Sequence, residues 1–436
     1  MLPSHSSELS APPVPGPRSP VPLALYIHIP WCVRKCPYCD FNSHGLRGQL
    51  PVREYVAALL ADLDGDLRDF GEAIDGREIL SRPLESIFFG GGTPSLFPPE
   101  AIAEILDGAS ARLKFADDCE ITLETNPGTV EHGRFDGYLN AGVNRISFGV
   151  QSFDDAKLRA LGRIHSSAEA EAAVKLAQDA GFDNINLDLM YALSNQSLQG
   201  ALADIERAIA LAPAHISHYQ LTLEPNTSFA ANPPPLPDDD AAWAMQEACQ
   251  TELAQAGYAQ YEISAYARDG RCCAHNFNYW RFGDYLGIGA GAHGKITGNR
   301  EPGTGNREAK AMLASSRSPA TGSRLPAPAF QVSRRWKVKH PRVYLENANT
   351  PTRIGGDSQV AREELPFEYM LNALRLTDGT MIGEFSKRTG LSLDAIQAPL
   401  REARERGWME DEPQFLRATE FGHRFLNDVI GLFMPD

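Results

Sequence analysis

The chain has 436 residues, 43% of them hydrophobic and 22% charged, which is enough apolar material for a large domain with a smaller companion and excludes a fibrous or wholly disordered chain. With 56 Asp and Glu against 41 Lys and Arg, the formal charge of -15 argues against a nucleic-acid partner, because phosphate binding draws on clustered cations. No apolar run reaches the roughly 20 residues needed to cross a bilayer, so a cytoplasmic protein that is not integral to the membrane is expected.

Residues 1–22 are rich in Ser and Pro, lack the charged and apolar regions of a secretory signal, and read as a disordered leader. Short apolar runs then recur at Leu23–Ile29, Leu84–Phe89, Glu120–Glu124, Arg145–Val150, Asn184–Leu189 and Ile216–Leu223, with helical-length segments such as Tyr55–Leu67 between most of them. Strands alternating with helices predict a parallel sheet, and nearly continuous hydrophobic runs such as Ile87-Phe88-Phe89 predict strands covered on both faces. The expected fold is α/β, a partial (β/α)6 barrel over residues 23–296, followed by an inserted low-complexity loop at 297–328, in which Gly298–Glu301 recurs as Gly305–Glu308. Residues 329–360 read as a connecting segment. Residues 361–436, with amphipathic stretches at Phe367–Leu374 and Leu393–Arg404, read as a small, mainly helical C-terminal domain of winged-helix character.

Chemistry in such a barrel sits at the carboxyl ends of the strands. Strand one leads to Cys32-Val-Arg-Lys-Cys36-Pro-Tyr-Cys39, which puts three of the seven cysteines within eight residues. Three thiolates on one loop fit a four-iron, four-sulfur cluster with one iron left without a protein ligand, open to the amino and carboxylate groups of S-adenosylmethionine (SAM). A structural zinc site usually closes with four ligands, and no fourth lies in this loop. Cys119 and Cys249 read as buried structural thiols; Cys272 and Cys273 read as ordinary thiols ahead of metal ligands.

Strand two ends in Gly90-Gly91-Gly92-Thr93-Pro94, whose bare backbone can approach a ligand and offer N–H donors to a carboxylate. Glu124 ends strand three and can anchor a ribose or an amino group, although a lone strand-end carboxylate is more often a cap. Asn126, Gln151 and Asp188 follow at later strand ends, so one shared mouth is expected. His275-Asn-Phe-Asn-Tyr-Trp280 sets an imidazole among large aromatic side chains, the mixture a haem ligand needs; alone, the patch reads as a core histidine.

Tyr26-Ile-His28-Ile-Pro30, the cysteine loop, Gly90–Pro94 and Leu123-Glu-Thr-Asn-Pro127 together resemble the coproporphyrinogen III dehydrogenase-like branch of the radical SAM superfamily. The resemblance extends through Ser147–Ser152, Leu161–His165 and Asn186–Met190 to the C-terminal domain. The dehydrogenase carries a further cysteine two positions after the third ligand, where this chain has Phe41, as in the group called HemW. That group shares the His-Asn-x-x-Tyr-Trp signature matched by His275 to Trp280, and its members are regarded as haem chaperones.

The resemblance implies Cys32, Cys36 and Cys39 as cluster ligands, and a SAM pocket lined by Tyr26, Gly91, Glu124, Gln151, Arg163 and Asp188. Gly92, Thr93 and the backbone at Tyr38 lie close by, and Gln151, Arg163 and Asp188 match positions around a second SAM. It also implies haem held by His275, an acceptor protein associated with the respiratory membrane, and an electron donor of unspecified identity. The competing expectation is an oxygen-independent coproporphyrinogen III oxidase.

Overall fold

The computed structural model describes residues 21–73, 81–129, 134–300 and 329–435. Residues 1–20 of the expected leader and 301–328 of the expected insertion lie outside the described residues. Twelve strands form one sheet: β1 (Leu23–Ile29), β2 (Leu84–Gly91), β3 (Phe115–Thr125), β4 (Arg145–Gln151), β5 (Ile185–Tyr191), β6 (His215–Gln220), β7 (Ala259–Glu262), β8 (Ala265–Ala267), β9 (Asp284–Ile288), β10 (His293–Arg300), β11 (Ala329–Lys337) and β12 (Ile354–Gln359). Their spatial order is β12-β11-β10-β9-β1-β2-β3-β4-β5-β6-β8-β7.

The six runs expected from sequence are β1 to β6, adjacent in chain order and all parallel. On one side β9 joins β1 in parallel and β10, β11 and β12 continue antiparallel. On the other, β8 and β7 pair antiparallel to β6. The two outer strands do not pair with each other, so the barrel is open along one side.

Side chains alternate along each strand. Leu25, Ile27, Ile87, Phe89, Leu123, Ile146, Phe148, Leu187 and Leu189 share one core with Tyr55, Val56, Leu59 and Leu63 of helix α1 (Val52–Ala73). The alternate positions carry Tyr26, His28, Ser86, Glu124, Ser147, Asn186, Asp188 and His215, so the inner face is polar. The apolar runs are buried on both faces as expected, apolar toward the helices and mostly polar inside, where Phe88 is among the apolar exceptions. That division sets a stable outer layer and leaves the inside free for chemistry.

A second core, built from Leu365, Tyr369, Phe385, Ile396, Leu400 and Val429, organises the C-terminal helices around a two-stranded ladder of Thr380–Met381 with Phe415–Leu416. Phe282 and Val332 belong to that same core, so the domain packs directly on the barrel.

Residues 329–360 contribute β11 and β12, and ion pairs pin them to α1. Asp62, Asp66 and Asp69 share one helix face through their spacing of four and three. Lys337 Nζ meets Asp62 and lies 2.7 Å from Asp66; Arg353 lies 3.0 Å from Asp62 and 2.9 Å from Asp69. Tyr344 donates to Asp62 at 2.8 Å. The Arg353 guanidinium lies so close over Gly65 that a Cβ there would fall 2.4 Å from its Cζ, so only glycine admits this pairing.

Candidate functional site

The cysteine loop leaves β1 and is tied down by its own backbone and by distant strands. Lys35 Nζ donates to the carbonyls of Phe41 (3.1 Å) and Ser43 (3.2 Å), while Asn42 Nδ2 donates to those of Ala290 (2.8 Å) and Lys339 (2.9 Å). Cys32, Cys36 and Cys39 are free thiols, each half-buried. Burial pushes the Cys32 thiol up, and the neighbouring Cys39 and Cys36 add to the shift. Three crowded thiolates are thus costly until a cationic group joins them, which fits an iron–sulfur cluster. Among the described residues no three His, Cys, Asp or Glu side chains converge as a single metal ion would require. Separate irons of a cubane, one per thiolate, impose no such convergence.

Beside this loop lies a pocket lined by Val33, Cys36, Thr93, Asn126, Arg163 and Ile164, with Arg34 and Gly162 completing it. Arg163 Nη1 approaches Cys36 Sγ at 3.7 Å and its Nη2 donates to Asn126 and, at 2.5 Å, to the Gly149 carbonyl. Asn126 Nδ2 in turn donates to Thr93 Oγ1 at 2.7 Å. Arg163, Thr93 and one cluster cysteine therefore meet in one polar chain. Tyr38, in the loop, is close enough to feel the charge of both Arg163 and Cys36.

The glycine turn departs from its expected role. The N–H of Gly91 donates to Glu124 Oε2 (3.1 Å), that of Gly92 to the Ile29 carbonyl (2.8 Å) and that of Thr93 to the Trp31 carbonyl (2.7 Å). With these donors occupied, the N–H groups of Gly91, Gly92 and Thr93 are not available to a ligand carboxylate. Glycine is needed here for space and conformation: Gly91 has φ of 109°, and a Cβ would fall 2.4 Å from His28 Cε1.

Burial, with the charge of Asp188 adding to it, pushes the Glu124 carboxyl up to about 8, against the Gly91 N–H that favours the anion. Asp188 is raised too, mainly by burial, despite donors from Asn186 (2.8 Å) and Ser147 (3.2 Å). Tyr26 donates to His28 Nδ1 at 2.9 Å, because burial holds His28 neutral, down at about 4, and its Nε2–H donates to the Asn42 carbonyl at 2.9 Å. Gln151 sits in the left-handed region (φ 71°) and accepts from Tyr219 at 2.8 Å. The sequence-derived candidates thus fall into one connected wall: Tyr26, Gly91, Glu124 and Asp188 on one side, Thr93, Arg163 and the cysteines on the other.

His275 is a buried core histidine, as its patch taken alone suggested. It opens helix α2 (Ala274–Trp280), which closes the barrel at the end away from the cysteine loop, and it is only 3% exposed. Its ring stacks on Phe88 at 4.9 Å, meets Tyr279 edge-on at 5.0 Å and lies 6.3 Å from Tyr26. Its Nδ1 bonds Ser86 Oγ at 3.0 Å and its Nε2 is buried with no partner. Burial drives the imidazole down to about 3, so it is neutral. The His275 ring therefore packs beside Tyr26.

Sequence reading missed Glu120 and Arg145, charges inside apolar strand runs, which were the available signal. Glu120 caps α2, accepting from Ala274 N (3.1 Å), His275 N (3.2 Å) and Cys273 Sγ (3.3 Å), and the buried Arg145 lies 3.9 Å away. Replacing Glu120 with Gln puts an amide NH₂ against these donors. A loss of about 1–3 kcal/mol in unfolding free energy is expected, measured by urea denaturation against the parent chain.

The family model of the radical SAM superfamily matches residues 26–208, and that of the HemN C-terminal domain matches 360–425. Heme chaperone HemW of Haemophilus influenzae is 46% identical over 415 residues, covering 95% of this chain and 98% of its own length. Heme chaperone HemW of Escherichia coli is likewise 46% identical, over 95% of this chain and 99% of its own. Among solved structures, the radical SAM enzyme coproporphyrinogen III oxidase (HemN) of Escherichia coli superposes with a TM-score of 0.73 over 95% of this chain and 90% of that one, at 20% identity.

Proposed function

We propose, on the premise that this chain belongs to the HemW family of heme chaperones within the radical SAM superfamily, that it binds haem and delivers it to an acceptor protein from the cytoplasm. The observation that carries this reading is similarity to heme chaperones over 95% of the chain, through the barrel and the C-terminal domain alike. The likeness to the oxidase, at 20% identity, speaks to the fold alone. Phe41, where a further cysteine would mark the dehydrogenase, stands 62% exposed on the cysteine loop.

In this reading Cys32, Cys36 and Cys39 hold a four-iron cluster. The wall of Tyr26, Gly91, Gly92, Thr93, Glu124, Gln151, Arg163 and Asp188, with the backbone at Tyr38, holds SAM. Together the two groups supply one-electron cleavage of a carbon–sulfur bond. Arg163 sets positive charge against Cys36, Glu124 supplies a carboxyl for the SAM ammonium, and His28 fixes the Tyr26 hydroxyl. The acceptor is a haem protein at the respiratory membrane. No helix among the described residues is long and apolar enough to cross a membrane, which suits a carrier that visits one. For His275 to ligate haem iron, α2 has to leave the barrel, because Phe88, Tyr26 and Tyr279 enclose its ring.

The test is anaerobic purification and cluster reconstitution, then titration with haem beside an assay for coproporphyrinogen decarboxylation. Stoichiometric haem binding without decarboxylation is expected. Decarboxylation coupled to SAM cleavage would instead assign the oxidase activity.

A further inference from the structure

Beyond Cys39 the chain doubles back on the start of the cysteine loop. A two-residue parallel ladder pairs Trp31 with His44 and Cys32 with Gly45. The His44 N–H donates to the Pro30 carbonyl at 2.7 Å and the Leu46 N–H to the Cys32 carbonyl at 2.8 Å, which brings Ser43 back to the first cysteine. Two further bonds fix it there: its own N–H donates to the Phe41 carbonyl at 2.6 Å, and Lys35 Nζ donates to its carbonyl at 3.2 Å.

Ser43 is only 4% exposed, although Phe41, two residues before it, stands out in solvent. Buried hydroxyls usually pair with backbone or with another oxygen. This one is turned to sulfur. It lies 3.6 Å from Cys39 Sγ and also reaches Cys32, where burial raises the thiol and the hydroxyls of Thr93 and Ser43 act against that rise. One rigidly held hydroxyl therefore meets two of the three cysteines.

Which atom donates depends on charge. Between a thiol and a hydroxyl either can be the donor, whereas a thiolate has no proton and can only accept. With the cysteines as thiolate ligands, Ser43 is the donor. The other polar groups at the sulfurs have second tasks: Arg163, 3.7 Å from Cys36 Sγ, also holds Asn126 and the Gly149 carbonyl, and Thr93 is held by Asn126 at 2.7 Å. Those groups belong to the SAM wall, and Ser43 lies outside it. A donor to sulfur favours the more reduced state of an iron–sulfur cluster, because the added electron raises the negative charge that the hydrogen bond meets. At so little exposure, water competes weakly for the same sulfur atoms, which strengthens the effect.

Resting on the cluster reading above, we propose that Ser43 is a positioning residue for the four-iron cluster, whose hydroxyl donates to the Cys39 and Cys32 thiolates and raises the potential at which the cluster takes one electron from a one-electron carrier. The carrier is oxidised by one electron and the cluster reduced by one, and the Ser43 proton stays on its oxygen. Ser43 thereby sets how readily the cluster is charged for SAM cleavage without touching SAM.

The experiment uses the full chain, purified and reconstituted anaerobically, as the parent, Ser43→Ala and Ser43→Thr. Iron and sulfide are counted, and the cluster is titrated with dithionite and redox mediators in the absence of SAM, its reduced form being followed by EPR. Only loaded chains give the signal, so incomplete loading leaves the midpoint readable. Ser43→Ala is expected to lower the reduction equilibrium constant about threefold to tenfold, a midpoint more negative by about 30–60 mV for one electron. Ser43→Thr keeps the hydroxyl and is expected to stay at the parent's midpoint. A loaded Ser43→Ala chain with the parent's midpoint overturns the inference. An equal shift in Ser43→Thr also overturns it, by assigning the change to packing, and so does a Ser43→Ala chain that holds no cluster, by making the hydroxyl a requirement of assembly. In each of these cases a loaded parent leaves the cluster reading standing. A parent chain that takes up no four-iron cluster overturns that reading itself, and this inference with it.

Discussion

Lys337→Met is expected to destabilise the folded chain by about 3–5 kcal/mol. Lys337 and Asp62 are 1% and 0% exposed, and Asp66 and Arg353 are 2%. Removing the ammonium strands two carboxylates against Arg353 and the partly exposed Arg335. Burial cost then goes uncompensated, which is why breaking a buried network by one partner costs far more than the network contributes intact. The exposed pair Arg342–Glu346, at 82% and 57% exposure, is the control: Arg342→Gln is expected to cost no more than about 0.5 kcal/mol. Guanidinium denaturation of both variants decides the point. Equal, small losses would mean that the cluster is solvated and that β11 and β12 are held by the sheet alone.

SAM affinity is expected to rise with pH, by up to about tenfold per unit as Glu124 ionises. Its carboxyl is pushed up to about 8 by burial and by Asp188, so near neutral pH it is largely protonated in the ligand-free protein. An ammonium placed beside it favours the anion and expels the proton. Binding therefore releases a proton below about pH 8 and none above it. The effect on stability has the opposite sense. Because the folded pKa lies above the ordinary 4.5, the ligand-free fold binds the extra proton, and stability falls as pH rises between these values. Calorimetric titration with SAM in buffers of different ionisation enthalpy measures the released proton directly. Glu124→Gln is expected to abolish both the release and the slope. A pH-independent affinity in the parent chain would remove Glu124 as the counter-charge of the ammonium.

Much of this was legible before any coordinates. Apolar runs bounded by turns gave β1 to β6 to within a few residues at most ends, because a buried strand between helices needs apolar side chains whatever its neighbours. β3 begins five residues earlier than its apolar run, since Phe115–Cys119 includes Asp117 and Asp118, which are exposed. β11 was not legible: residues 329–360 read as a connecting segment, and only the ladders with β10 and β12 and the pairing of Arg334, Arg335 and Lys337 with distant carboxylates make a strand there.

The site divides in the same way. Local spacing alone determined that Cys32, Cys36 and Cys39 share one loop, and that glycines follow β2, since both facts lie within a few covalent bonds. The tertiary structure decided that the N–H groups of Gly91, Gly92 and Thr93 are spent inside the fold. It also decided that burial, with the charge of Asp188 adding to it, pushes Glu124 up to about 8, and that His275 is buried while His293 is exposed. Donor occupancy, desolvation and exposure depend on which distant segments come within a few ångströms, and no window of sequence contains those distances.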